Sequence, residues 1–196
     1  MQDVAESLKL IENDALPIAD TAPPQWQAAL LFNCDGLRSL VAPQSRKGED
    51  YLDESLEAIR QIGLSEDKYH FQYVSNRNGV VMIRSFQRRP QDAIDLCRNN
   101  PATLDAHVSP EKHRLHRSVL VYNTGQVHLA IGDYEEALRH YSAAIAMDPN
   151  FSEYYNERVS ILLKLSHFEE AEADFRRAIE VSPPTTKYSR ISPNVK

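Results

Sequence analysis

The sequence predicts an all-α chain, a solenoid of stacked antiparallel helix pairs with a helical hairpin at its N-terminal side. Three observations carry that expectation. Tyr134 pairs with Phe168, Ala137 with Ala171, Tyr141 with Phe175, Ala144 with Ala178 and Pro149 with Pro183, every pair 34 residues apart. A fixed period of this length marks stacked helical hairpins, because one hairpin cannot bury its own apolar face. Glycine is scarce, at 6 residues, and alternating β-branched runs are rare. Apolar residues recur instead at helical spacing along most of the chain.

Residues 2–14 read as a short amphipathic helix with Val4, Leu8 and Ile11 on one face. A connector rich in Pro and Ala follows, and Thr21 is placed to cap the next helix with Pro23 and Pro24 in its first turn. That helix is expected over 24–41, with Trp26, Leu30, Cys34, Leu37 and Val41 in one stripe. After a break at 42–48, a partner helix is expected over 49–62 with Leu52, Leu56, Ile59 and Ile62 inward. Gly63 suits the left-handed residue that stops it. Residues 1–23 are thus an N-terminal segment and 24–64 a helical hairpin.

Ser65 is placed to cap the next element. Tyr69, Tyr73, Asn76, Val80, Ile83 and Gln87 keep helical spacing, while Asn78-Gly79 between two apolar runs is a β-hairpin signal. Helix is preferred, because Gln87 to Ala93 echoes Ile131 to Ala137 at a distance of 44 residues. Residues 65–108 then form a degenerate repeat and a linker, the helix stopping at Asn99-Asn100-Pro101. Ser109-Pro110 is expected to open a long helix reaching Ile131. Gly132-Asp133 turns the chain into a helix over 134–147, and Asp148-Pro149 ends that. The last pair is expected over 151–165 and 168–181. Residues 109–184 are therefore two repeat units, and 185–196 a flexible basic tail.

Composition narrows the function classes. The 196 residues carry a net charge of -6, with no basic block or basic-aromatic stripe, so nucleic acid is a poor partner. No apolar run approaches the roughly 20 residues that span a bilayer. The acidic start, Met1 to Glu6, lacks a signal-peptide pattern. A cytoplasmic location is expected, with Cys34 and Cys97 as reduced thiols.

Small residues at Gly125, Ala137 and Ala171 sit where paired helices must approach closely. Aromatics at Tyr141 and Phe175, one turn before Ala144 and Ala178, would interlock with neighbouring hairpins. With Pro149 and Pro183 as stops, residues 118–184 resemble the tetratricopeptide repeat family. The second copy departs at Val159, where the family prefers Gly or Ala, and at His167, where it prefers Asp. The 44-residue spacing is similar to extended variants found in bacterial regulatory proteins. The resemblance implies a right-handed superhelix whose first helices line a concave groove for a peptide or protein segment. By position that groove presents Tyr122, Asn123, Gln126 and Leu129, then Asn156, Glu157, Ser160, Leu163 and Lys164. Glu153 and Glu157 argue against the subset of the family that clamps a terminal carboxylate.

Other chemistry is sparse. His107, His113 and His116 lie close together, and His113 and His116 share a helix face, which could hold a metal if a third ligand joined. No metal or other cofactor is expected. His128 and His140 fall at repeat positions and read as packing residues. Glu169 to Asp174 reads as a solvated acidic face. There is no Gly-x-Ser-x-Gly turn and no phosphate-binding loop. After Val181 no capping helix is evident, so Leu163, Phe175 and Ile179 are expected to form an apolar edge that either the tail folds back over or another chain, a second copy or a partner, covers. The leading expectation is a non-enzymatic adaptor that binds protein or peptide. Two alternatives are an enzyme or small-molecule site built from 24–63 and His107–His116, and a regulatory solenoid of a larger signalling protein.

Overall fold

The computed structural model describes residues 47–182 continuously and, before them, residues 6, 9–15, 17, 21–29 and 31–32. Within residues 47–182 seven helices follow one another: α1 (Lys47–Gln61), α2 (Glu66–Phe86), α3 (Pro90–His107), α4 (Arg114–Ala130), α5 (Tyr134–Met147), α6 (Ser152–Lys164) and α7 (Phe168–Val181). Among the described residues there is no strand, and no helix is long and apolar enough to cross a membrane. Each helix packs chiefly on its hairpin partner, α2 on α3, α4 on α5 and α6 on α7, and then on the next hairpin. This is the all-α solenoid the 34-residue period predicts.

The first turns of contact lie at the N-terminal side. Residues 24–29 are helical, and the Pro23 carbonyl accepts from the Trp26 and Gln27 amides. Ala28 is buried against Ala58 and Ile59, whereas Trp26 is 63% exposed, so the expected stripe is rotated. A small residue at the crossing lets the two helices approach, and the bulky indole stays outside. The buried Ser55 hydroxyl donates to the Ala28 carbonyl. The rest of that stripe, from Leu30 to Val41, lies outside the described residues, as do Val4, Leu8 and residues 183–196. Residues 9–15 are helical, Ile11–Ala15 as a π-turn, and the Tyr51 hydroxyl donates to Glu12. Helix α1 buries Leu52, Leu56, Ala58 and Ile59 and ends at Gly63, φ +70°. It is pinned to α2 by Asn76, whose amide donates to the Leu52 carbonyl at 2.7 Å, and by the Arg84–Glu49 ion pair.

Helix α2 runs straight through Asn78-Gly79, which settles the choice between helix and hairpin. Val74, Val80, Val81 and Ile83 are buried along it, and a strand turn there would strip that face from α3 and α4. Two expected boundaries are corrected. Helix α3 does not stop at Asn99-Asn100-Pro101 but continues to His107, with Pro101 inside. An internal proline costs about 3 kcal/mol. Full burial of Leu104 and near-full burial of Val108 against Val74 and Leu120 offsets it, each worth about 1.5–3 kcal/mol. Helix α4 begins at Arg114, not at Ser109-Pro110. The Ser109 hydroxyl bonds the Glu111 carboxylate instead of a backbone amide. His113, at φ +58°, turns the chain, and its ring stacks on Phe71 at 3.8 Å.

The three hairpin turns are superimposable in their bonding. The amides of Arg89, Asp133 and His167 donate to the carbonyls of Arg84, His128 and Leu162 at 2.8–2.9 Å. The residue before each, Arg88, Gly132 and Ser166, is left-handed, with φ of +57°, +80° and +65°. This is the bonding of a Schellman stop.

Candidate functional site

The face offered by α4 and α6 is aromatic and acidic. Tyr122 lies half-buried, its ring 5.5 Å from Tyr141 and 4.9 Å from Tyr154, and Gln126 donates to its hydroxyl. Burial, then the charges of Glu157 and Glu153, push its phenol up to about 12. Leu129 packs beside Tyr122 against the Ala137–Tyr141–Ile161 cluster. Asn123 is half-buried one position along and Asn156 is exposed. Ser160 donates to the Glu157 carbonyl of its own helix. Leu163 is 51% exposed, and Lys164 extends its ammonium 5.1 Å above the Tyr134 ring. The buried Tyr154 hydroxyl meets Ser118 at 2.9 Å, holding α4 and α6 side by side.

The histidines of 107–116 do not converge. His107 stacks on His70 at 3.5 Å and faces Glu66 at 3.1 Å. His113 and His116 flank Phe71 instead, and His116 bonds Ser75 at 2.8 Å. His113 stands outside α4, so the two do not share a helix face as expected. His128 and His140 do come together, their rings stacked at 5.4 Å, with Glu136 between them. His128 Nδ1 lies 3.1 Å from the Asp133 carboxylate. Burial, then the Arg139 charge, holds the His140 imidazole down at about 4. Hydrogen bonding from Arg139 lowers the Glu136 carboxyl below its usual range. These three groups line a cavity of about 320 Å³ with Cys97, Arg98 and Pro101. Cys97 is buried, which raises its thiol pKa.

A family model described as tetratricopeptide repeat matches residues 122–185. Residues 122–185 thus carry tetratricopeptide repeats. A 57-residue stretch is 37% identical to DnaJ homolog subfamily C member 7 of Mus musculus, covering 29% of this chain and 12% of that relative's length. Among solved structures, Bacillus thuringiensis PlcR in complex with the peptide PapR7 and DNA aligns over 92% of this chain and 64% of its own, with a TM-score of 0.70 and 17% identity. BtubC (BKLC) from P. vanneervenii aligns over 92% and 72%, with a TM-score of 0.65 and 14% identity. YrrB, described as a tetratricopeptide-repeat protein with an unusual peptide-binding site, aligns over 93% and 79%, with a TM-score of 0.50 and 13% identity. The alignments extend the helical-repeat fold well beyond the matched repeats.

Within the tetratricopeptide array the two copies differ at one crossing. Gly125 lies under the fully buried Tyr141 ring. In the next repeat Val159 replaces the glycine, and Phe175 is 54% exposed. A corrected residue lies nearby: Asp174 does not belong to a solvated acidic face. It is buried, and both its oxygens accept from Arg158 at 2.6 Å, while Arg158 also donates to Ser142 at 2.9 Å. Ala171, Asp174 and Ala178 are spaced i, i+3, i+7, and that inward stripe is the sequence signal that marks Asp174 as buried. A further cavity, of about 550 Å³, opens between residues 24–32, α1 and α2, lined by Ala28, Phe32, Ile59, Leu64, Phe71 and His116.

Proposed function

We propose that this tetratricopeptide array is a non-enzymatic adaptor that holds an extended, basic protein segment along the α4/α6 face. Tyr122, Asn123, Gln126 and Leu129 form the first half of that surface, and Asn156, Glu157, Ser160, Leu163 and Lys164 the second. The observation that carries the reading is the half-buried Tyr122 ring on α4, whose phenol is raised in part by the charges of Glu157 and Glu153 on α6. Lysine or arginine of a partner finds both charge and ring there. The amides of Asn123 and Asn156 can bond a peptide backbone as donor and acceptor. PlcR, of similar fold, is in complex with the peptide PapR7, and YrrB is described as having a peptide-binding site, which supports a peptide as the class of partner. The cytoplasm is the setting this reading assumes.

Selection of a random peptide display library on the purified chain tests it. Enrichment of Lys- and Arg-containing sequences, lost in Asn123→Ala/Glu157→Gln, is the expected result. Enrichment that is acidic, or unchanged in that variant, defeats the reading. The notional carrier of self-association is the last hairpin, where Leu163, Phe168, Phe175 and Ile179 are 51–63% exposed. A homodimer through that edge would give a sedimentation mass of two chains that Phe175→Glu halves. A second reading is favoured by the 550 Å³ cavity beside His116, whose lining suits a small apolar ligand. Such a ligand would raise the thermal midpoint without competing with a selected peptide.

A further inference from the structure

We infer that His128, Glu136 and His140 form a binding site for one divalent transition-metal ion, zinc or a close relative, between α4 and α5. Their ligand atoms all lie within 4.8 Å of one another. A tetrahedral zinc ion with bonds of about 2.1 Å holds its ligand atoms ~3.4 Å apart. The set therefore closes by about 1.4 Å at most, within reach of side-chain rotation. Glu136 and His140 are i, i+4 on α5 and share a face, while His128 projects from the last turn of α4.

The surroundings match what such an ion needs. Asp133 lies 3.1 Å from His128 Nδ1, so that nitrogen donates to the carboxylate and Nε2 keeps its lone pair for a ligand. An imidazole oriented by a carboxylate in this way is the usual support of a metal-bound histidine. Asp133 is itself fixed as the cap of α5, accepting from the Glu136 amide. The guanidinium of Arg139 already reaches the lone pairs an ion would use. One of its nitrogens donates to Glu136 at 2.6 Å and lies 2.9 Å from His140 Nε2. Its side chain is 61% exposed, so an ion can displace it into solvent. The 320 Å³ cavity beside the three groups leaves room for water or a partner's side chain as fourth ligand. Two imidazoles and one carboxylate with an open position suit zinc, cobalt or iron(II) more than calcium or magnesium.

Nothing in the peptide reading requires this ion, and the site lies on other side chains. The test is a titration of the untagged, metal-stripped full chain with Zn²⁺ by calorimetry, and with Co²⁺ by visible absorption. One ion per chain is expected, with intense tetrahedral Co²⁺ bands. His140→Gln and Glu136→Gln should each weaken binding at least ~10–100-fold, the loss typical even of an outer partner, at unchanged helicity. Arg139→Ala should tighten it, because the competing cation is gone, and a purely structural disturbance would not do that. Glu66→Gln, in the separate Glu66–His70–His107 group, should leave it unchanged. Absence of binding, binding that survives Glu136→Gln, or binding lost in Glu66→Gln overturns the inference.

Discussion

Gly125→Ala places one methyl group where α4 crosses α5. A Cβ built on Gly125 lies 2.6 Å from Tyr141 Cε1, 2.7 Å from Cδ1 and 3.3 Å from His140 Cβ. Non-bonded carbons rest at roughly 3.5–4.0 Å. The ring or the helix must therefore retreat by about 1 Å. Tyr141 has no exposed surface to retreat into, and it packs against Ile161 of the next hairpin. Such overpacking costs roughly 1–3 kcal/mol, and the better helix propensity of alanine returns about 1 kcal/mol. The net loss is expected at about 1 kcal/mol, the centre of a range of roughly 0–2. Urea unfolding followed by circular dichroism reads it as a midpoint lower by roughly 0.5 M, taking a slope of about 2 kcal/mol/M. The slope itself should not change. Tyr141→Leu, destabilising alone, should remove most of the alanine's penalty, so the double mutant is more stable than the sum of the singles. Gly125→Ala at or above the native stability would refute the close approach.

Two further outcomes follow from buried polar groups. Asp174→Ala leaves the Arg158 guanidinium, only 21% exposed, without its carboxylate. Breaking a pair of this kind costs about 3 kcal/mol, which thermal unfolding should show, whereas Glu172→Ala, two residues away on the exposed face, should change little. Burial, followed by the charge of His113, holds the His116 imidazole below its usual value. A lowered folded pKa means the unfolded chain takes up the proton first. The stability His116 contributes is complete above about pH 6.5 and is lost as pH falls through its folded value. The thermal midpoint should drop between pH 7.5 and 5.5, and His116→Gln, which can still bond Ser75, should flatten that slope; an unchanged slope counts against it.

What the sequence made legible was whatever repeats or obeys local rules. The pairs Ala137/Ala171 and Ala144/Ala178 define α5 and α7 because each marks a close helix crossing, and all four are buried. Gly63 and Gly132 stop helices through their own backbone freedom. Pro101 misled because its penalty is local while the burial that offsets it, Leu104 and Val108 on Val74 and Leu120, joins three helices. Ser109 misled in the same way, since its hydroxyl prefers a nearby carboxylate to an amide. The His128–Glu136–His140 group spans a helix–turn–helix, and its convergence depends on the turn at Gly132 rather than on any spacing a single helix would display. The proposed groove positions follow from the repeat register, but the effect of the Glu153 and Glu157 charges on Tyr122 depends on how α6 lies beside α4.

The hairpin turns have a mechanical corollary. All three adopt one backbone shape, but only the middle one has glycine at its apex; Arg88 and Ser166 hold theirs against a steric cost of about 1–2 kcal/mol each. His113, between the first two hairpins, carries the same cost at φ +58°. Glycine relieves the Gly132 turn alone of the three, and the other two hairpins close over a strained residue that their own packing has to hold.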